Sequence, residues 1–291
     1  MATDTMRVGV VGLGQMGRGI AHNLEGAGLL GAVCDIDDAA TGGFAARSLF
    51  GQDLVDACDV IMFAVPSTAQ IANTISGCSG ANTLLVDLTT SDPALSAKLA
   101  NDVAQRGFNY IDAAMTGGAA GADAGTLTLM VGGASDHFDT CQPIFDAIAK
   151  QIFHLGPVGS GHAMKLVHNL ILHSSFMATC EGLRLARRAG LDVNAAVDVL
   201  NAGNARSFVT EVRFPRDILS GSMNARSTIA NLQKDLGLAV DFAATLEGPA
   251  PYTALTSQLL NTARDRGQAQ TDFSHLFRLF DDLAHPAEPT L

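Results

Sequence analysis

Basic charge is scarce in this chain. Lysine and arginine total 18 against 29 aspartates and glutamates, a formal net charge of −11 over 291 residues. Nucleic acid and anionic membranes select clustered positive charge, so this balance argues against both as partners; a small anionic ligand needs only a few local donors. Disulfide and zinc frameworks lack their spacing too. The five cysteines, at 34, 58, 78, 141 and 180, form no C-x-x-C pair and no Cys/His cluster, a pattern of free thiols in a reducing cytoplasm. No run approaches the roughly 20 apolar residues of a membrane span. The N-terminus carries Asp4 and four glycines within its first 17 residues, which interrupts any secretion-signal pattern. The expectation is a soluble, cytoplasmic protein with no internal repeat and no low-complexity linker.

What is present reads as two halves. "MRVGVVGLGQMGRGIAHNLEGAG" predicts a strand at 6–11, a glycine turn and a helix to about Ala27. Gly12, Gly14 and Gly17 give G-x-G-x-x-G. The first glycine permits the tight turn, the second lets the backbone approach a pyrophosphate, and the third lets helix and strand pack closely. The helix then offers unpaired N–H groups to phosphate. Alone the motif is weak, since glycine turns occur without ligands; the strand–turn–helix order strengthens it. "AVCDID" predicts a second strand ending in Asp35, whose carboxylate suits the two ribose hydroxyls of adenosine and repels a 2′-phosphate. Ile36 follows where an NADP site would more often supply arginine, and Arg47 is placed on the next helix. NAD is favoured over NADP. A solvated turn acid beside Asp37 and Asp38 is the plainer reading of Asp35.

The alternation continues with strands at 59–66, 83–90, 110–116, 127–133 and 151–156. A helix at "STAQIANTISG" is capped by Ser67 or Thr68, and "SDPALSAKLANDVAQRG" opens with Ser91 as N-cap. "GGAAGADAG" (117–125) reads as a loop. Such alternation means a doubly wound, mostly parallel α/β sheet of Rossmann type with ligands at the carboxyl ends of the strands, where Val65, Thr90 and Thr116-Gly117-Gly118 fall. From 162 onward the pattern is helical: a long helix to about Ala189, then helices at about 192–201, 206–219, 228–246, 251–266 and 272–284. The expected organisation is a nucleotide-binding domain over 1–161 and an all-helical domain over 162–291, joined by the long helix, with Lys165 at the junction. Lysine is unwelcome in a core helix without a task. Lys165 either snorkels from the first turn or is placed to move a proton.

Five motifs in order carry a resemblance over almost the whole chain: "GLGQMG" (12–17), "DLTTSDP" (87–93), "DAAMTGGAAGADAGTLTLMVGG" (112–133), "GSGHAMKLVHN" (159–169) and "KDLGLA" (234–239). Together they resemble the β-hydroxyacid dehydrogenase family of the 6-phosphogluconate dehydrogenase superfamily, which includes 3-hydroxyisobutyrate dehydrogenase, tartronate semialdehyde reductase and threonate dehydrogenase. The resemblance implies that Lys165 is the catalytic acid/base and that Asn169, one turn on, orients the substrate. It implies that Thr116, Gly117 and Gly118 receive the substrate carboxylate, with His168 alongside. It gives Gly12, Leu13, Gly14, Gln15, Met16, Gly17, Asp35, Val65 and Thr90 to the cofactor, with Lys234 reaching it across the cleft. Thr116 and Thr89 stand where the family usually has serine, and His168 where asparagine is common; threonate-type relatives are similar in having histidine there. His168 and His173 are equally readable as packing residues.

The chemistry this implies is hydride transfer between a nicotinamide and a carbinol carbon, with a base to take the hydroxyl proton. A free lysine, with a pKa of about 10.4, is protonated at neutral pH; burial and a nearby positive nicotinamide both lower that value. No metal site is visible: His154, His162, His168 and His173 have no carboxylates at ligand spacing. The expected partner is a small carboxylate, and the apolar faces of "NLQKDLGLAVDFAATL" and "FSHLFRLFDDLA" suggest a homodimer or homotetramer formed through the helical domain. The rival readings are an imine reductase-like NADPH enzyme, against which the retained Lys165 and the "TGG" segment argue, and a non-catalytic NAD-binding module on the same fold, against which the retained Lys165 and Asn169 argue. A longer sugar-phosphate oxidative decarboxylase would need a basic cluster, for which Arg206, Arg213 and Arg216 are the candidates; a solvated helix face is their plainer reading.

Overall fold

The computed structural model describes residues 6–284, so Asp4 lies outside the described residues. Two compact units divide the chain, Met1–Lys165 and Leu166–Leu291. In the first, β1 (Val8–Val11), β2 (Leu30–Cys34), β3 (Arg47–Ser48), β4 (Val60–Phe63), β5 (Leu84–Asp87), β6 (Asn109–Thr116), β7 (Leu127–Gly132) and β8 (Ala149–Gly156) form one sheet. Its order is β3-β2-β1-β4-β5-β6-β7-β8. Every neighbouring pair is parallel except β6 with β7.

The central strands β1, β4 and β5 are buried on both faces because both faces are covered. Val8 and Val10, Val60 and Met62, and Leu84 and Val86 point into one core with Ile20 and Leu24 of helix α1 (Gly17–Gly26) and Ile144 and Phe145 of α6 (Ser135–Ile148). The alternate residues Val11, Ile61, Phe63 and Leu85 point into another. There they meet Leu54 of α2 (Gly51–Ala57), Ile71 of α3 (Thr68–Thr74) and Leu99 of α4 (Pro93–Ala104). The sheet reverses its winding between β1 and β4, the switch point beside which such folds bind ligands. All five cysteines are buried and free of disulfides; burial pushes the Cys34 and Cys58 thiols up to about 11.

Helix α7 (Ser160–Arg188) runs from the first unit into the second. Phe176, Met177, Cys180 and Leu183 repeat at helical spacing and bury one stripe of it. They pack with Val197 of α8 (Val193–Ala202), Leu232 and Leu236 of α9 (Ile229–Thr245), Leu260 of α10 (Pro251–Ala263) and Phe280 of α11 (Leu276–Ala284). Phe176 meets Phe273 edge to face at 5.2 Å, and Phe214 meets Phe277 at 5.4 Å.

Several local expectations are corrected. Arg47 lies on the short edge strand β3, paired in register with Ala32, not on a helix. Asp35 follows the end of β2 rather than belonging to it. Ser91 is not the cap of α4: Asp92 accepts from Ala94 N–H at 2.6 Å, while Ser91 Oγ lies 2.5 Å from Thr68 Oγ1. Aspartate, a strong N-cap type in its own right, sits one residue nearer the helix. The segment expected as a loop holds α5 (Gly118–Asp123), because alanine outweighs glycine once the turn packs against α1. Of the apolar faces of α9 and α11, Leu232, Leu236, Leu276, Phe277 and Phe280 are buried within their own unit, whereas Leu238, Val240 and Phe242 are only partly buried and Leu246 is exposed. Arg213 is no solvated residue; it lies against the Phe208 and Phe273 rings and 3.4 Å from Asp217, which also takes Arg216.

Two glycines of α7 separate packing from propensity. A Cβ on Gly161 would overlap the carbonyl oxygen of Met130 and stand 2.8 Å from Asp112 Oδ2; one on Gly182 would meet nothing within 4 Å. Gly161→Ala is expected to destabilise the protein by about 2 kcal/mol or more. Gly182→Ala is expected to change stability by no more than about 1 kcal/mol, in the stabilising direction. Thermal melts of both variants check the contrast.

Candidate active site

The register Val11–Phe63–Asp87–Asp112 aligns the carboxyl ends of β1, β4 and β5 and carries β6 four residues further, to Thr116. The segments that follow those ends therefore gather along one edge of the sheet: Gly12–Gly17, Val65, Thr89–Thr90 and Thr116–Gly118. This is where the sequence placed the cofactor residues.

The glycine turn has the form a dinucleotide needs. Gly12 adopts φ 86°, closed to other residues without strain, and a Cβ there would stand 2.6 Å from Ala64 O. A Cβ on Gly17 would overlap Gly12's own carbonyl oxygen, whereas one on Gly14 would meet nothing within 4 Å. Gly12 and Gly17 are thus required by the chain itself. Gly14 is required by nothing the chain contains, and its exposed backbone leaves room for a pyrophosphate. Helix α1 has no side-chain cap at Met16 and no acidic residue in its first turn, so its N-terminus suits an anion. Asp35 is fixed beside this turn, accepting from Leu13 N–H at 2.6 Å and from Asp37 N–H at 2.9 Å. Leu13 puts its side chain in the core and its N–H on Asp35. Ile36 next door is fully exposed. These residues fit a dinucleotide with an adenosine ribose at Asp35.

Thr116 ends β6, and Gly117 and Gly118 turn the chain with φ of 123° and 65°. Both values are glycine's territory, so the position beyond Thr116 presents backbone rather than side chain. Thr89 N–H donates to Asp87 Oδ1 at 2.8 Å, which holds the segment leading to the half-buried Thr90.

Lys165 is half-buried at the sixth position of α7. The start of this helix is tied to the sheet by Asp112, which accepts from Gly159 N–H at 2.6 Å and His162 N–H at 2.8 Å. Burial pushes the Asp112 carboxyl up, against the pull of His162 and of these N–H groups.

In the second unit, Asn169 is buried and oriented from both ends of its amide. Its Nδ2 donates to Asp235 Oδ2 at 2.8 Å, and its Oδ1 lies 3.0 Å from His168 Nδ1. The other Asp235 oxygen is 3.3 Å from Lys234 Nζ. One carboxylate therefore joins Lys234 to Asn169 and, through it, to His168. His173 is buried on the same helix. Among the described residues no group of three or more His, Cys, Asp or Glu side chains is arranged to hold a metal ion.

Four residues were missed by the sequence reading of the site: Asp87, Asp112, His162 and Asp235. Each had a signal. Asp87 and Asp112 interrupt strands that are otherwise apolar, and aspartate is almost never fully buried without a partner. Asp235 stands beside Lys234 in a motif already noted, and His162 was weighed only as a metal ligand.

A sequence model for the NAD-binding domain of 6-phosphogluconate dehydrogenase matches residues 7–156. Another, for the NAD-binding of NADP-dependent 3-hydroxyisobutyrate dehydrogenase, matches 159–280. The chain is 30% identical to 2-(hydroxymethyl)glutarate dehydrogenase of Eubacterium barkeri, over 96% of each chain. It is 32% identical to 2-hydroxy-3-oxopropionate reductase of Escherichia coli, over 96% of this chain and 99% of the relative. A solved 3-hydroxyisobutyrate dehydrogenase of Mycobacterium tuberculosis with L-serine superposes with a TM-score of 0.86 at 25% identity, covering 95% of this chain and 99% of that one. These relatives favour neither an imine reductase nor a module that only binds nucleotide. Glycine turn, sheet topology and relatives agree: the chain belongs to the β-hydroxyacid dehydrogenase family and is an NAD(P)-dependent hydroxyacid dehydrogenase.

Proposed function

We propose that the protein interconverts a small β-hydroxy acid and its semialdehyde or keto form, prefers NAD, and uses Lys165 as general acid/base. When bound, the nicotinamide supplies the hydride chemistry. Lys165 takes the hydroxyl proton as the alcohol is oxidised and returns it to the oxygen in the reductive direction. Asn169, one helical turn on, orients the reacting hydroxyl. The observation that carries this reading is the double hold on the Asn169 amide by Asp235 and His168, an arrangement that leaves the amide a single orientation. Thr116 Oγ1 and the N–H groups of Gly117 and Gly118 take the substrate carboxylate, and His168 contacts the part of the substrate that differs among relatives. Gly12–Gly17, Val65, Thr90 and Lys234 bind the cofactor.

NAD preference rests on Asp35, whose fixed anion accepts two ribose hydroxyls and repels a 2′-phosphate. The nearby bases do not offset it. Arg18 donates to Ala40 O and Gly42 O, and Arg47 lies on the edge strand. The protein works in the cytoplasm as a homodimer or homotetramer through its helical unit. Support for the oligomer is the exposure of Leu185, Leu191 and Val199 on α7, α8 and the turn between them, with Ile171, Phe208, Leu246, Tyr252 and Leu255 of the same unit exposed as well.

Turnover of C3–C5 β-hydroxy acids and semialdehydes with NAD(H) and NADP(H) tests the reading. NAD-linked turnover of at least one acid is expected, and Lys165→Ala should lower kcat by about 10²–10⁴-fold. Failure of every acid while NAD still binds would contradict it. Gly14→Ala should melt like the wild type while weakening NADH binding by about tenfold or more; unchanged binding would remove the pyrophosphate from this turn. Asp35→Ser should shift the NAD/NADP ratio of kcat/KM towards NADP, and an unchanged ratio would place the preference elsewhere.

A further inference from the structure

Beneath the candidate site of the first unit lies a polar cluster with almost no exposure to water. Asp87, Asp112, His162 and Ser96 are each 0% exposed, and Tyr110, Ser91, Thr89 and Thr68 are buried around them. The His162 ring sits between Asp87, the last residue of β5, and Asp112, midway along β6, with Nε2 3.7 Å from Asp87 Oδ1 and Nδ1 4.0 Å from Asp112 Oδ2. Its Nδ1 is 2.6 Å from Ser96 Oγ, which itself lies 3.2 Å from the Asp92 carbonyl. With the Ser96 proton on that carbonyl, Nδ1–H is the donor to Ser96. Asp87 takes Tyr110 OH at 2.7 Å on one oxygen and Thr89 N–H at 2.8 Å on the other.

Such a cluster is costly to bury and would be replaceable by apolar packing if it served stability alone. What it joins is specific. Through Asp87 it holds Thr89, and so the segment bearing Thr90. Through its own backbone N–H and Asp112, His162 belongs to the first turn of α7, three residues before Lys165. Positions three apart lie on one side of a helix, so movement of the ring displaces the turn that carries the lysine.

We propose that His162 is a positioning residue for the reaction: wedged between Asp87 and Asp112 and steered by Ser96, it sets the first turn of α7, and with it Lys165, against the Thr89–Thr90 segment. This rests on the reading of Lys165 as general acid/base. His162 touches neither substrate nor cofactor. Its effect is on the placement of the amine, and small misplacements of a reacting group lower rates steeply.

The test uses the full chain as wild type, His162→Ala, His162→Gln, Ser96→Ala and Lys165→Ala. Melting temperature, NADH dissociation constant, and kcat and KM for the best acid are measured on each. His162→Ala should lower kcat by about tenfold or more, with NADH binding within about twofold of wild type. His162→Gln, which keeps a polar group towards Ser96, should recover most of the loss, and Ser96→Ala should fall between. A folded His162→Ala with a lower melting temperature and unchanged kcat would overturn the proposal. So would kcat and NADH affinity falling together, which is general disruption. If His162→Ala does not fold, Ser96→Ala decides: wild-type kcat there overturns the proposal, and reduced kcat with intact NADH binding supports it. Lys165→Ala with unchanged kcat would instead sink the reading of the lysine, independently of His162.

Discussion

Asp112, a carboxylate without exposure to water midway along β6, is the constraint on which the candidate chemistry depends. A buried ion of this kind is expensive unless hydrogen bonds and opposite charge surround it. Here two backbone N–H groups at the start of α7 are pinned to it, the helix dipole points its positive end at it, and His162 stands beside it. The sheet thereby dictates where α7 begins. Gly132 and Gly161 make the approach possible, since a Cβ on either would press on Asp112. Phase along the helix follows, and phase determines which way Lys165 faces.

The glycine turn shows the same division between what the chain needs and what a ligand needs. Gly12 and Gly17 are constrained by contacts within the protein, while Gly14 opens onto space. A fingerprint with one position unexplained by folding is better evidence for a ligand than the spacing of the motif. Asp35 adds a fixed acid beside that turn, because two N–H groups hold its carboxylate in one place.

Much of this was legible in the residues. The βα alternation, the glycine turn, Asp35 and the long helix follow from runs of apolar residues punctuated by glycine and proline. Three kinds of feature were not. The two-residue strand β3 is too short to have a period, so Arg47 could only be misplaced. Helix α5 has a composition that suits either loop or helix, and packing decides. The partners of the buried polar groups are distant in sequence: Asp235 is 66 residues from Asn169, and Ser96 is 66 from His162. Local pattern reports that a buried acid is anomalous; only the fold reports what satisfies it. The same limit holds for the apolar faces of α9 and α11, because an amphipathic stripe does not say how much of it its own domain covers.

The proposed role of Lys165 is to move the proton. Chemical rescue addresses it directly: small primary amines are added to Lys165→Ala during NAD-linked oxidation of the best acid. Activity is expected to rise with the concentration of free amine and with its basicity, while the wild type does not respond. A variant with bound NAD that no amine revives, or one as active as the wild type without amine, would contradict the assignment.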